Sequence, residues 1–188
     1  NLVQKLAQRD GISALPKIDP NTQDISADAK VFADKLSQAA IPAVLVGLYK
    51  YTRDEHRAGD ILKSSFKSNW RQEVFGDRFD KLVAGIAAYS GETAAQVSSK
   101  LDNVLDNSIE VIKQETGDVN GNTVKEIFTA ARTGILSHLP AAIGVGEFLD
   151  DNSFDDRTNK MEGPVSSLMH KIEKTFAGTE GTEGEPRM

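Results

Sequence analysis

The stretch AAQVSSKLDNVLDNSIEVIK, residues 94–113, decides the fold class. Val97, Leu101, Val104, Leu105, Ile109 and Ile112 recur at helical spacing, so a 3.6-residue turn brings all six to one face. The positions between them are mostly polar, and Gly117 supplies a C-terminal stop. This pattern predicts a long amphipathic helix with one buried side.

Downstream, Asp118-Val119-Asn120-Gly121 reads as a turn. Thr123 and Glu126 have the spacing of a capping box, in which each side chain bonds the other residue's free amide. The helix they open buries Ile127, Phe128, Ala131, Ile135 and Leu139 until Pro140 interrupts it. A polar, acidic stretch covers 150–162. Pro164 then suits a first helical position, and Val165, Leu168, Met169, Ile172 and Phe176 line one side of a last helix. Residues 177–188 lack aliphatic spacing and read as a disordered tail.

Upstream, Asp77 opens a helix that turns Phe79, Leu82, Val83 and Ile86 inward and closes at Ser90-Gly91. Before it, Asp60 is expected to cap a helix carrying Leu62, Phe66, Trp70 and Val74 at four-residue intervals, ended by Gly76. Trp70 is therefore expected in the core. Ser26 is a candidate N-cap for a helix through Val31, Phe32, Leu36 and Ala39. Pro42 removes an amide donor and predicts a break, with a second apolar helix from Pro42 to about Arg53. Leu2, Val3 and Leu6 mark a short helix before Gly11, and the segment from Asp10 to Ile25 reads as irregular.

No strand pattern emerges, and Asn120-Gly121 lacks alternating flanks. The expectation is an all-α, multi-helix orthogonal or bundle-like globular domain with a disordered C-terminal tail. Its organisation is a short helix and irregular connection over 1–25, one helical domain over 26–176, and the tail over 177–188.

Ile41-Pro42-Ala43-Val44-Leu45 echoes Leu139-Pro140-Ala141-Ala142-Ile143, and both follow amphipathic segments. Together with the helix junction Ile86-Ala87-Ala88-Tyr89-Ser90-Gly91-Glu92-Thr93, this resembles the YidB-like group of bacterial helical proteins over residues 30–176. The resemblance implies a helical fold and carries no activity to particular residues. The acidic segment at 150–162 departs from it.

Composition narrows the function classes. With 39% hydrophobic and 27% charged residues, the 188-residue chain has enough apolar material for a packed core. Its net charge of −6 argues against general nucleic-acid binding. Zero cysteines exclude disulfides, thiolate metal sites and cysteine nucleophiles. The most apolar run, Ala39 to Tyr49, is well short of the roughly twenty residues a membrane span requires. A cytoplasmic location is expected, with a periplasmic one open if a leader was removed before Asn1.

No catalytic constellation is legible. His56, His138 and His170 each stand alone, without an H-E-x-x-H pair or a Glu-x-x-His repeat. From Asp151, oxygen side chains fall at Asp151, Ser153 and Asp155 with Glu162 at the twelfth place, but Asp156 occupies the sixth, where an EF-hand needs glycine. Gly144-Val145-Gly146 is a fragment of a dinucleotide fingerprint behind a helix, not a strand. No metal or cofactor is expected.

The strongest charge feature is Lys50 to Arg71, where Lys63, Lys67 and Arg71 flank the Leu62, Phe66 and Trp70 stripe. Basic stems covering a core edge explain it as packing, and an anionic partner (membrane surface or nucleic acid) is the functional alternative. The leading expectation is a non-enzymatic helical protein acting through protein–protein contact, self-association or a small apolar groove. The rivals are a peripheral binder using the basic stripe and an enzyme assembled from dispersed groups such as Glu147, Asp150 and His138.

Overall fold

The computed structural model describes residues 1–30, 34–63, 69–117 and 120–146, for Lys30 the backbone only. All of them lie in the unit Asn1–Asp155. Their elements run α1 (Leu2–Arg9), β1 (Ile18–Asp19), β2 (Asp24–Ile25), α2 (Ala27–Lys30), α3 (Lys35–Tyr51), α4 (Glu55–Lys63), α5 (Trp70–Phe75), α6 (Phe79–Ser90), α7 (Ala94–Thr116) and α8 (Gly121–Leu136). Single 3-10 turns occupy Gly76–Arg78 and Ala141–Ile143. The fold is all-α, apart from a small antiparallel ladder pairing Ile18 with Ile25 inside the segment expected to be irregular. Asp19 explains that hairpin: its side chain accepts from the Asn21 amide and its carbonyl from the Gln23 amide, closing a turn that no alternating pattern announces.

The organising element is α3. Every residue from Ser37 to Leu48 is buried, because α1, α5, α6, α7 and α8 all pack around this one helix. Asp34 starts it, its carboxylate accepting from the Ser37 amide at 3.1 Å. The helix expected from Ser26 to Ala39 is thus divided, with α2 ending at Lys30 and Asp34 in an extended conformation.

Pro42 does not break α3, contrary to the sequence expectation. An interior proline costs about 3 kcal/mol, since the Gln38 carbonyl loses its helical donor. Burial of a Leu, Ile or Val side chain contributes about 1.5–3 kcal/mol. Ile41, Val44, Leu45, Val46 and Leu48 are all buried on α3, so the surrounding helices outweigh the proline.

The long helix behaves as its spacing predicts. Val97, Leu101, Val104, Leu105, Ile109 and Ile112 are buried on α7, and Gly117 ends it with φ 57°. Its start is a capping box that the sequence reading placed elsewhere. Thr93 accepts from the Gln96 amide, and the Gln96 side chain accepts from the Thr93 amide. The expected box at Thr123 and Glu126 does not form, because Asn120 caps α8 one turn earlier and takes the Thr123 amide itself. Helix α8 stops at Leu136, short of Leu139, as the residue before a proline disfavours helical geometry.

The helix expected from Asp60 to Gly76 is two helices. Helix α4 begins at Glu55, takes Gly59 and Asp60 into its interior and ends at Lys63. Helix α5 begins at Trp70, after Asn69 at φ −147° and ψ 38°. Asn69 is a good N-cap type, a start signal hidden by the four-residue apolar period. Helix α6 follows the 3-10 turn at Asp77 and buries Phe79, Leu82, Val83 and Ile86, with Gly91 left-handed at its end. Helix α1 adds Leu2, Val3, Leu6 and Ala7 to the same core and is tied to α7 by Lys5–Glu115 and Arg9–Glu110 ion pairs.

Val31, Phe32, Phe66 and the expected helix and tail beyond Gly146 lie outside the described residues. Among the described residues, no helix is long and apolar enough to cross a membrane.

Candidate functional site

Two helix starts meet at one place on the surface. Asp54 opens α4, accepting from the Arg57 amide at 3.0 Å. That amide, more than any other group, holds the Asp54 carboxyl below its ordinary pKa. Asn120 opens α8 in the same way, and α4 packs more extensively on α8 than any other pair of helices in the fold. Gly121 makes this approach possible: a Cβ there would lie 2.6 Å from the Glu55 carbonyl oxygen and 2.7 Å from the Gly59 nitrogen, both backbone. Gly59 has the opposite surroundings. A Cβ on it would meet nothing within 4 Å among the described residues, and Gly59 lines an open cleft.

That cleft encloses a volume of about 570 Å³ and is lined by Glu55, His56, Gly59, Leu62, Lys63, Asn120 and Gly121. Leu62 is half-buried, and Glu55, His56, Lys63 and Asn120 stand exposed around it. The result is an apolar patch with a rim carrying one acid, one base, one imidazole and one amide. Such a surface can take an apolar side chain and hydrogen-bond the chain that bears it.

The two glycines give a paired prediction. Gly121→Ala forces α4 and α8 apart and is expected to cost about 1–3 kcal/mol, the usual range for overpacking. Gly59→Ala sits in a helix interior with free space and is expected to stabilise by about 0.5–1 kcal/mol. Urea unfolding followed by circular dichroism measures both, and equal midpoints for the two variants would contradict this geometry.

The basic stripe is not presented on one helix. Lys63 is the last residue of α4 and lines the cleft. Arg71 is on α5, ion-paired with Asp102, bonded to Ser98 Oγ at 3.1 Å and seated 4.2 Å over the Phe79 ring. The hydrogen bond to Asp102 raises the Arg71 pKa further. Its guanidinium therefore has a structural role, holding α5 to α7. Lys67 lies outside the described residues, as do Glu147, Asp150, His170 and the Asp151–Glu162 stretch.

His138, the remaining member of the dispersed set, is 1% exposed and fully engaged in hydrogen bonds. Among the described residues, no three acidic or imidazole side chains converge on a metal-sized space. The Gly144 region is a left-handed turn after the Ala141–Ile143 3-10 turn.

From the sequence alone, Gly59 has no role beyond preceding the expected Asp60 cap, and Asn120 and Gly121 have none beyond a turn. The available signal was a glycine inside an otherwise helix-compatible stretch, EHRAGDILK, which marks either a weak point or a close approach. No family model, no curated protein and no solved structure matches this chain.

Proposed function

We propose that this chain is a non-enzymatic recognition protein that takes an extended segment of a protein partner into the cleft between α4 and α8. The observation that carries the proposal is the open space over Gly59, floored by Leu62 and rimmed by Glu55, His56, Lys63 and Asn120. An exposed, mixed rim around a small apolar patch suits a peptide better than a small substrate, which needs an enclosing pocket. The two charges of opposite sign suit a peptide's alternating polar groups better than a uniformly anionic surface. The commitment of Arg71 to Asp102 and Phe79 supports the same choice over a basic stripe.

Membership of the YidB-like helical group is part of the proposal. It rests on the sequence of the junction Ile86–Thr93, which here forms the end of α6, a left-handed Gly91 and the Thr93 cap of α7. The Pro-Ala echo does not support it, since Pro42 lies inside a helix and Pro140 precedes a 3-10 turn.

The test is to pan a random displayed-peptide library on the full chain and measure the enriched peptides by titration calorimetry. Gly59→Phe places a ring in the cleft from a position where a Cβ meets no atom of the described residues within 4 Å. It is expected to weaken binding by about tenfold or more, or 1.4 kcal/mol, with an unchanged circular-dichroism spectrum as the control on folding. Gly59→Ala is expected to retain it. Enriched peptides that bind wild type and Gly59→Phe equally would overturn the proposal, as would a library that yields no binder.

A further inference from the structure

The segment joining α1 to α2 is fastened along both sides. The Ile18 amide donates to the Ser137 carbonyl at 2.8 Å, and the Ala141 amide donates to the Gln23 carbonyl at 3.1 Å. The Tyr89 hydroxyl donates to Asp24 Oδ1 at 2.8 Å. On the inner side, Gln4 of α1 brackets Leu15, its Nε2 donating to the Leu15 carbonyl at 3.2 Å and its Oε1 accepting from the Leu15 amide at 3.3 Å. Gln38 of α3 donates to the carbonyls of Pro16 at 3.1 Å and His138 at 2.6 Å.

The His138 ring lies between these fastenings. Its Nδ1 is 2.7 Å from the Gly134 carbonyl oxygen, an acceptor only, so Nδ1 carries the proton. Nε2 is then the acceptor, 3.4 Å from Gln4 Nε2. We propose that His138 is the pin of a pH-sensitive latch, closed while its Nε2 accepts from Gln4 and released when that nitrogen is protonated.

The geometry leaves imidazolium no place in the closed form. A proton on Nε2 would face the Gln4 amide donor. Gln4 cannot turn its oxygen toward the ring without reversing both of its bonds to Leu15. Among the described residues no carboxylate bears on the ring: α1 presents Gln4, α8 presents the Gly134 carbonyl with Ser137 beside it, and the connecting segment presents Lys17. Helix α3 presents Gln38, which bonds the His138 backbone carbonyl and keeps a buried, unpartnered Oε1. Among the described residues, Lys17 is the charge that bears on the ring, and it repels a cation.

Burial first, and Lys17 to a lesser degree, hold the His138 pKa below its ordinary value, with the Gly134 carbonyl opposing them. An undocked segment returns the ring to water and to its ordinary value, so protons bind the open form preferentially. The latch is therefore closed above the ordinary histidine pKa. It loses stability as pH falls from there toward the lowered value, below which the loss levels off. Release uncovers Leu15 and Ile25, both buried when the segment is docked.

The test is amide hydrogen exchange by NMR on the full chain, corrected for intrinsic rates, at about pH 7.5 and about pH 5. Protection of the Leu15 and Ile18 amides is expected to fall by about tenfold or more at the lower pH, while α7 amides hold. His138→Gln is expected to abolish that pH dependence. Unchanged protection in wild type, or the same loss in His138→Gln, overturns the proposal. If His138→Gln does not fold, the wild-type ring decides. A His138 titration that shares its midpoint with the Leu15 loss supports the latch, and one without any loss overturns it.

Discussion

Trp70→Ala is expected to destabilise the protein by about 3–5 kcal/mol, the range for emptying a buried aromatic site. The indole is 5% exposed and meets Tyr51 edge-on, with ring centroids 6.0 Å apart and an interplanar angle of 84°. That geometry adds to the area it buries. Helix α5 has six residues, far too few to stand by its own hydrogen bonds. Trp70 anchors one end of it and Phe75, against Phe79, anchors the other. Losing the indole therefore removes a side chain and loosens a helix. Urea unfolding followed by circular dichroism measures the loss. In wild type the single tryptophan gives an independent check, with native emission blue-shifted and moving red on unfolding. Native emission like that of free tryptophan, with a near-neutral Trp70→Ala, would contradict the burial and turn the residue into an exposed stacking platform.

Phe128→Ala is expected to cost about 3–5 kcal/mol as well, by a different route. Phe128 is 0% exposed and is among the largest fully buried side chains. It sits on α8, the helix that packs on α4, α3, α1 and α7. Because several rigid helices surround it, the site cannot collapse, and the loss is mostly a cavity. That cavity is apolar and should stay dry. Xenon should therefore raise the stability of Phe128→Ala and leave wild type unmoved. Ile127, its half-buried neighbour, serves as the contrast, since truncating it opens no closed space. A Phe128→Ala cost no larger than that of Ile127→Ala would contradict the packing described for α8.

What was legible in the sequence was what local spacing determines. Helices α6 and α7, their inward residues and their glycine stops follow from apolar periodicity and backbone chemistry, which neighbours along the chain suffice to express. Burial of Trp70 follows too, although the single helix expected to bear it is two, with Leu62 and Val74 half-buried on either side. What was not legible depends on long-range packing. Pro42 is a breaker to its neighbours, and only the five helices around α3 reverse that. Asn120 rather than Thr123 starts α8, and Gly121 beside it, lacking a Cβ, lets α4 approach, a contact no local pattern announces. The cleft itself arises from two glycines far apart in sequence, one needed for contact and the other left facing open space. His138 looked like a solitary imidazole because its partners Gln4 and Gln38 come from two other parts of the chain.

Amide chemical-shift mapping locates recognition at the α4–α8 cleft residue by residue. A peptide enriched on the full chain is titrated into isotope-labelled protein and its shifts are located. The largest shifts are expected on Glu55, His56, Gly59, Leu62, Lys63, Asn120 and Gly121, and are expected to disappear in Gly59→Phe. Shifts centred elsewhere on the protein, or unchanged in Gly59→Phe, would contradict recognition at the cleft.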